Sequence, residues 1–400
     1  MDPYLKYISG NSSSKKFDKE FFPVPYENKQ VNMLPNISNE IYGNTRPLYN
    51  KEYVDYTKYK NLVEKKRLFS SVDFQTFVKY RAAVNPFENL GRSIFIDRAS
   101  IKLANLDALF DFMNLRSTFG VYVKDNNRED LYTQSRSFAD VAGGPGGFTQ
   151  YILYRDPHAI GWGVTLDTGK KETRWNDFVN KISNFKPFYN DIIADYDKIM
   201  NSTDYKNNVD IVVADGGLEI NPEFQEQDST ILLIAEVLIG IDKIAKGNSS
   251  AFFILKLFDT VTKPMSDLIY LISLCFDKVY LIKPLSSRPA NSEKYLVANG
   301  SIKDGRQITV VKNVLIKIIK EYNPSKHIIS LIDVNKPNEF NDWLKDMNNI
   351  FLENQTKYVN KILKSIAGQE IENEKYNLFE IECLFRLPGN TFNNKITKPN

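Results

Sequence analysis

The sequence predicts an α/β fold built on a doubly wound, mainly parallel sheet. Three observations carry this. Ser137-Phe138-Ala139-Asp140-Val141 is a short apolar run holding a carboxylate, and Ala142-Gly143-Gly144-Pro145-Gly146-Gly147 follows at once. Phe148, Tyr151 and Ile152 then fall at helical spacing, so strand, glycine loop and helix succeed one another. Further apolar runs alternate with amphipathic ones, and those reaching Asp215 and Lys256 carry a charge near their C-terminal end. Ligands of open α/β sheets bind beyond those ends, which locates a site before any residue receives a role.

Taken in order, residues 1 to about 60 are polar, with scattered tyrosines and no clear period, and read as an irregular extension on the core. Lys65-Lys66-Arg67 follows; taken alone it reads as a solvated helix face. Phe74, Phe77, Val78 and Arg81 take helical spacing, which Asn85-Pro86 ends because the residue before proline avoids the α region. Ala99, Leu103, Leu106, Phe110 and Met113 form one apolar stripe with Lys102 at its edge. A lysine there either snorkels to water or points into a site. Ile160 to Asp167 reads as a second strand despite two glycines, and Asp167 near its end is placed to hold ribose hydroxyls. A third segment, Pro187 to Ile192, carries Asp191, and with Asp195 it reaches toward an adenine amine.

Asp210 to Asp215 is a fourth strand, followed by a helix capped at Asp228 or Ser229 that runs to a Lys246-Gly247 stop. Ala251 to Leu257 is apolar except for Lys256 and so reads as a strand buried on both faces. A lysine is costly there unless it is paired or has a task. A helix from about Pro264 to Phe276, a strand over Val279 to Lys283, and a strand at Tyr295 to Val297 opened by Glu293 complete the sheet. From about Lys320 the chain is rich in Asn and Lys, with helical runs around Trp343 to Ile362 that pack on the core and carry no chemistry. The expected divisions are an extension (1–64), a catalytic domain (65–320) and a mainly helical region (321–400).

Composition narrows the class. With 42% hydrophobic and 25% charged residues, a mainly disordered chain is excluded. A net charge of +3 confines any nucleic-acid surface to a local patch. Cys275 and Cys383 are too few for a disulfide scaffold and suit a reducing compartment. His158 and His327, far apart in sequence, argue against a histidine-based metal site or triad. The polar N-terminus is unlike a signal peptide, and the longest apolar run, Ile231 to Ile241 broken by Glu236, is too short for a bilayer. The expectation is a soluble intracellular protein with no membrane contact.

The spelling from Asp140 through Phe148 resembles motif I of the FtsJ-like S-adenosylmethionine-dependent methyltransferases. It departs from the dinucleotide fingerprint in carrying Pro145 and an acid before the glycines. In that family the loop wraps the methionine part of the cofactor. The resemblance therefore implies a Rossmann-like doubly wound methyltransferase sheet and S-adenosyl-L-methionine as cofactor. Its implied contacts are Asp140, Ala142, Gly143, Gly144, Pro145, Gly146, Gly147, Phe148, Thr165 and Asp191. Lys102, Asp215, Lys256 and Glu293 are similar to the K-D-K-E tetrad of ribose 2'-O-methyltransferases in this group. Asn85-Pro86-Phe87-Glu88, Arg98 to Asn105 and Lys283-Pro284 to Tyr295 are similar to the mRNA cap ribose methyltransferases of eukaryotes and large DNA viruses. Two departures stand out: Asp97 replaces an asparagine of the cellular relatives, and the segment around Asp191 is shorter than theirs.

The implied activity is methyl transfer to the ribose 2'-OH of the first transcribed nucleotide of capped mRNA. The alternatives are an rRNA ribose 2'-O-methyltransferase and an inactive RNA-binding subunit of a capping complex. Lys66, Arg81, Ser287, Arg288 and Asn291 are the implied RNA and cap contacts. Other capping enzymes or RNA polymerase are the implied protein partners. The implied location is the cytoplasm, in a virus factory or virion, for a viral chain and the nucleus for a cellular one. No metal is implied, since the leaving group is already a cationic sulfonium. A ribose hydroxyl is a poor nucleophile at neutral pH. A lysine helps either as a base or by holding the oxygen in line with the methyl group. Lys102 on one side, and Asp215 and Glu293 on the other, act oppositely on the proton of Lys256, so both roles stay open.

Overall fold

The computed structural model of the chain describes residues 24–27, 35–91, 94–113, 135–171, 173–217, 223–301, 305–372, 376, 381 and 384–387. Cys383 lies outside them, and Cys275 is buried as a free thiol.

Strands β1 (Tyr26–Glu27) and β2 (Tyr42–Gly43) precede the glycine-loop strand β3 (Ser137–Val141). Then come β4 (Ile160–Thr165), β5 (Phe185–Tyr189), β6 (Ile211–Ala214) and β7 (Phe252–Leu257). The last are β8 (Phe276–Ile282), β9 (Lys294–Ser301) and β10 (His327–Ile328). Eight of them form one sheet in the order β1-β8-β9-β7-β6-β3-β4-β5, while β2 pairs with β10. From β7 to β5 all neighbours are parallel, and β9 enters antiparallel between β7 and β8. The order reverses at β3, with β4 on one side and β6 on the other, so the glycine loop leaves the sheet at the topological switch point.

Nine helices surround the sheet among the described residues. They are α1 (Tyr56–Arg67), α2 (Phe74–Ala83), α3 (Arg98–Phe110), α4 (Gly147–Arg155) and α5 (Tyr196–Asn201). The others are α6 (Gln225–Lys243), α7 (Lys263–Ser273), α8 (Gly305–Lys320) and α9 (Asn338–Ile366). Both faces of the sheet are covered. Phe138, Ile211 and Val213 pack with α3 and α4 residues, whereas Ala139, Val141 and Val212 pack with α6, α7 and α8. This is why the central strands read as continuous apolar runs.

Two expectations change. The helix expected to cap at Asp228 or Ser229 starts a turn earlier, with Phe224 at the N-cap position and no side-chain cap. Asp228 N–H donates to Phe224 O at 3.0 Å, so Asp228 is already inside α6, and its carboxylate meets Arg46 at 3.0 Å. The segment expected to be irregular up to residue 60 already enters α1 at Tyr56, and it places β1 on the sheet edge against β8. Its partners are remote in sequence, which leaves no local period. Trp343 Nε1 donates to Val24 O at 2.8 Å, and the Tyr26 and Phe340 rings meet edge to face at 5.1 Å. A boundary at residue 64 falls inside α1. No helix among the described residues is long and apolar enough to cross a membrane.

Candidate active site

Three strand ends and one helix build the site. Lys256 pairs with Tyr295 across the β7–β9 seam, and Leu255 pairs with Ala214, which brings the following Asp215 alongside Lys256. Lys256 Nζ lies 3.2 Å from Asp215 Oδ1 and donates to the Asp215 main-chain oxygen at 2.6 Å. Lys102 enters from α3, whose N-cap Asp97 accepts from Ala99 N and Ser100 N at 2.9 and 3.3 Å. Its Nζ donates to Glu293 Oε2 at 2.9 Å, and Glu293 Oε1 accepts from Ser287 Oγ at 2.7 Å. The four side chains are 11 to 16% exposed, so the two ion pairs are held in a mouth that opens to solvent.

Charge is distributed unevenly here. Burial alone would raise the Glu293 carboxyl, but Lys102, Lys256 and Lys283 bring it down to about 2. Burial disfavours the Lys102 ammonium, yet Glu293 and Asp215 lift its pKa above the ordinary lysine value. The pair is therefore fully ionised at neutral pH. Burial, then the neighbouring Asp215, raises Asp97.

Tyr295 also belongs to this group, and sequence reasoning missed it. It is fully buried, its hydroxyl donates to Asp215 Oδ1 at 2.7 Å, and its ring lies 6.0 Å from Lys102 Nζ. An aromatic residue in an apolar strand reads as core. Only the pairing with Lys256 across the seam marks it as part of the site.

The glycine loop stands beside these strand ends. Gly146 has φ +106°, open only to glycine at little cost, and a Cβ on Gly144 would lie 2.4 Å from the Thr173 carbonyl oxygen. Thr165 Oγ1 donates to that same oxygen at 3.0 Å. Pro145 O accepts from Asn176 N at 3.0 Å, and the buried Phe148 ring sits 6.1 Å from Tyr295. Asp140 is wholly buried beneath the loop; its Oδ2 accepts from Thr149 N at 3.1 Å and Thr149 Oγ1 at 2.7 Å. Burial pushes its carboxyl up to about 7. Asp191 Oδ1 accepts from Ile193 N and Ala194 N at 2.8 and 3.2 Å, and Asp195 Oδ2 accepts from Asn190 Nδ2 at 3.0 Å. Asp167 Oδ1 accepts from Gly169 N at 2.8 Å. At the carboxyl ends of β4 and β5, Leu166 and Tyr189 leave 49% and 40% of their surface open.

The pattern of the family described as FtsJ-like methyltransferase matches residues 95–301, spanning α3, the glycine loop and all four tetrad positions. The chain belongs to the FtsJ-like methyltransferase family. This FtsJ-like methyltransferase is also similar to curated proteins of animals. It is 33% identical over 352 residues to cap-specific mRNA (nucleoside-2'-O-)-methyltransferase 1 of Xenopus laevis, covering 81% of this chain and 40% of the relative. It is 32% identical over 349 residues to the Homo sapiens protein of the same name, covering 81% and 41%. The chain thus spans about 40% of the length of the relatives it matches.

In this FtsJ-like methyltransferase a second charged surface adjoins the tetrad. Glu88 takes Arg288 NH2 at 3.0 Å and Arg98 NH1 at 3.4 Å. Arg81 stands over the Phe77 ring at 5.3 Å, and its Nε has no hydrogen-bond partner among the described residues. Burial, then Arg288, disfavours the Arg81 charge. One carboxylate thus faces three guanidinium groups, which leaves a local positive excess. Asn291 is exposed and accepts from Lys283 Nζ through its main-chain oxygen at 3.0 Å and Oδ1 at 2.8 Å. Ser287 is committed to Glu293, and Lys66 is near enough to disfavour the charges on Lys283 and Lys294.

Proposed function

We propose that this chain transfers the methyl group of S-adenosylmethionine to the 2'-hydroxyl of the first transcribed nucleotide of capped mRNA. The carrying observation is Lys256 fixed by Asp215 at the sheet's carboxyl edge, with the Lys102–Glu293 pair beside it. When bound, the cofactor supplies an electrophilic methyl group on a sulfonium. Asp215 and Tyr295 orient Lys256, whose Nζ holds the hydroxyl oxygen or takes its proton. Lys102 and Glu293 keep their charges in balance, which preserves the field around that amine.

The cofactor is read into the loop Asp140 to Phe148 with Thr165 and Asp191, and its adenine against Leu166 and Tyr189. Arg81, Arg288 and Lys66 supply positive charge for the polyphosphate bridge of a cap, with Ser287 and Asn291 shaping the loop between. The names of the relatives, which are cap-specific enzymes, favour this over an rRNA substrate. Residues 65–320 are the proposed catalytic unit, and 1–64 and 321–400 the proposed flanks that brace it.

The test incubates the chain with cofactor and either capped or uncapped RNA, then digests to nucleosides. The expected product is a 2'-O-methylated first nucleotide, formed much faster on capped than on uncapped RNA. Equal methylation of both RNAs overturns the cap reading. RNA binding without any methylation favours the inactive subunit.

A further inference from the structure

Glu236 interrupts the longest apolar run of the chain, yet it is 0% exposed. It projects from α6 under the tetrad. Its Oε1 accepts the Gly216 N–H at 3.0 Å, immediately after Asp215. Its Oε2 is buried with no hydrogen-bond partner among the described residues. A Cβ on Gly216 would lie 2.2 Å from Glu236 Oε1 and 2.9 Å from Ala142 Cβ, so Glu236 sits where the turn after Asp215 touches the glycine loop. The charged groups that face it are Lys256 from β7, Asp215 from the end of β6 and Asp140 from β3. Burial first, then the two carboxylates, push the Glu236 carboxyl up to about 8, against the pull of Lys256 and the Gly216 N–H.

We propose that Glu236 is a positioning residue for methyl transfer: through the Gly216 N–H it fixes the Asp215–Gly217 turn that holds Asp215 against Lys256. An apolar side chain would fill the helix position better, and glutamate at an interior site is tolerated only where it makes a needed bond. Once Glu236 gives its proton to solvent base, a second carboxylate faces the Lys256 ammonium. Lys256 then divides between two partners, and the geometry at the mouth loosens. The proposal rests on the methyl-transfer reading above, so wild-type activity on capped RNA is measured first and decides that reading separately.

Single-turnover methylation is then followed against pH for wild type, Glu236→Gln and Glu236→Leu, with urea unfolding of each protein at every pH. Glutamine keeps the acceptor for Gly216 N–H but has no proton to lose. Near pH 6.5, Glu236→Gln is expected to stay within about threefold of wild type, whereas Glu236→Leu falls at least about tenfold. Wild type is expected to slow as pH passes about 8, and Glu236→Gln to lack that decline. A folded wild type retains the proton that its unfolded chain has lost. Its stability should therefore drop between about pH 4.5 and 8, more steeply than that of Glu236→Gln. Superimposable pH–rate profiles for wild type and Glu236→Gln overturn the proposal, as does wild-type activity in Glu236→Leu. Should Glu236→Leu fail to fold, the comparison of wild type with Glu236→Gln decides alone.

Discussion

Lys256 is the residue whose place in the chain most needs a task. Its strand is buried along its whole length, and the amine is held by Asp215 at 3.2 Å. Lys256→Ala should abolish methyl transfer while cofactor affinity changes little, because the glycine loop is a separate element. Lys256→Arg separates its two roles: a guanidinium keeps its proton, so strong loss means the amine acts as base, and substantial activity means it only orients the oxygen. Single-turnover rates with parallel cofactor titration give the answer, and a wild-type rate for Lys256→Ala would remove Lys256 from the site. Glu293 offers a test of opposite sign to Glu236. Its carboxyl is held at about 2, below the ordinary 4.5, so its ion pairs stabilise the fold above about pH 4.5 and fade as pH falls toward 2. Urea midpoints of Glu293→Gln should accordingly show a shallower loss over that acid range than wild type. Lys256 stood out in the sequence because its apolar strand gives a lysine no structural reason. Lys102, by contrast, stayed open between solvent and a site, and Glu293 stood out only through its resemblance to the tetrad. Tyr295 was hidden by being hydrophobic enough for the core, and Glu236 registered only as the break in the apolar run Ile231 to Ile241.

At the scale of elements, strands β3 to β9 and most helices followed from apolar runs and glycines, whereas the start of α6 did not, because Phe224 carries no capping group. Nor did the two-residue strands β1, β2 and β10, whose partners are remote in sequence. The long α9 was visible as a helix but not as a participant. Its Asn348 is buried and donates to Tyr53 O at 2.9 Å and Thr260 O at 2.8 Å, while accepting from Thr260 Oγ1 at 2.6 Å. Thr260 sits at φ 63°, an unfavourable conformation for a β-branched residue, three residues beyond the end of β7. Lys294 Nζ strengthens the same turn by donating to Phe258 O at 2.7 Å and Asp259 O at 2.8 Å. Asn348→Ala strands the Thr260 carbonyl and releases the turn, and should destabilise the protein by about 2 kcal/mol. Urea unfolding reads this directly, and an unchanged midpoint would mean that the turn keeps its shape without α9.

Over the whole molecule, the net charge of +3 understates the surface that matters, because three arginines gather around the single Glu88 beside the tetrad. Sequence separates these arginines by many residues, so only the fold reveals the cluster. Arg81→Ala should lower methylation of capped RNA several-fold while sparing uncapped RNA, and the difference should shrink as salt rises. An unchanged capped-to-uncapped ratio would move cap recognition elsewhere. The flanks are equally distributed in sequence and joined in space. Asp267 on α7 takes Lys336 at 2.6 Å and Lys263 at 2.8 Å, and β1 closes the sheet edge against β8. The seam between β7 and β9 has a further bearing. Lys256 faces Tyr295 there, and Glu293 immediately precedes β9. Side chains alternate across a strand, so sliding β9 by one position would turn Tyr295 to the opposite layer and carry Glu293 away from Lys102. Two of the five polar groups in the mouth are therefore set by a zipper whose teeth must engage at one notch. A chain that zips one tooth off loses the site together with the packing of the strand.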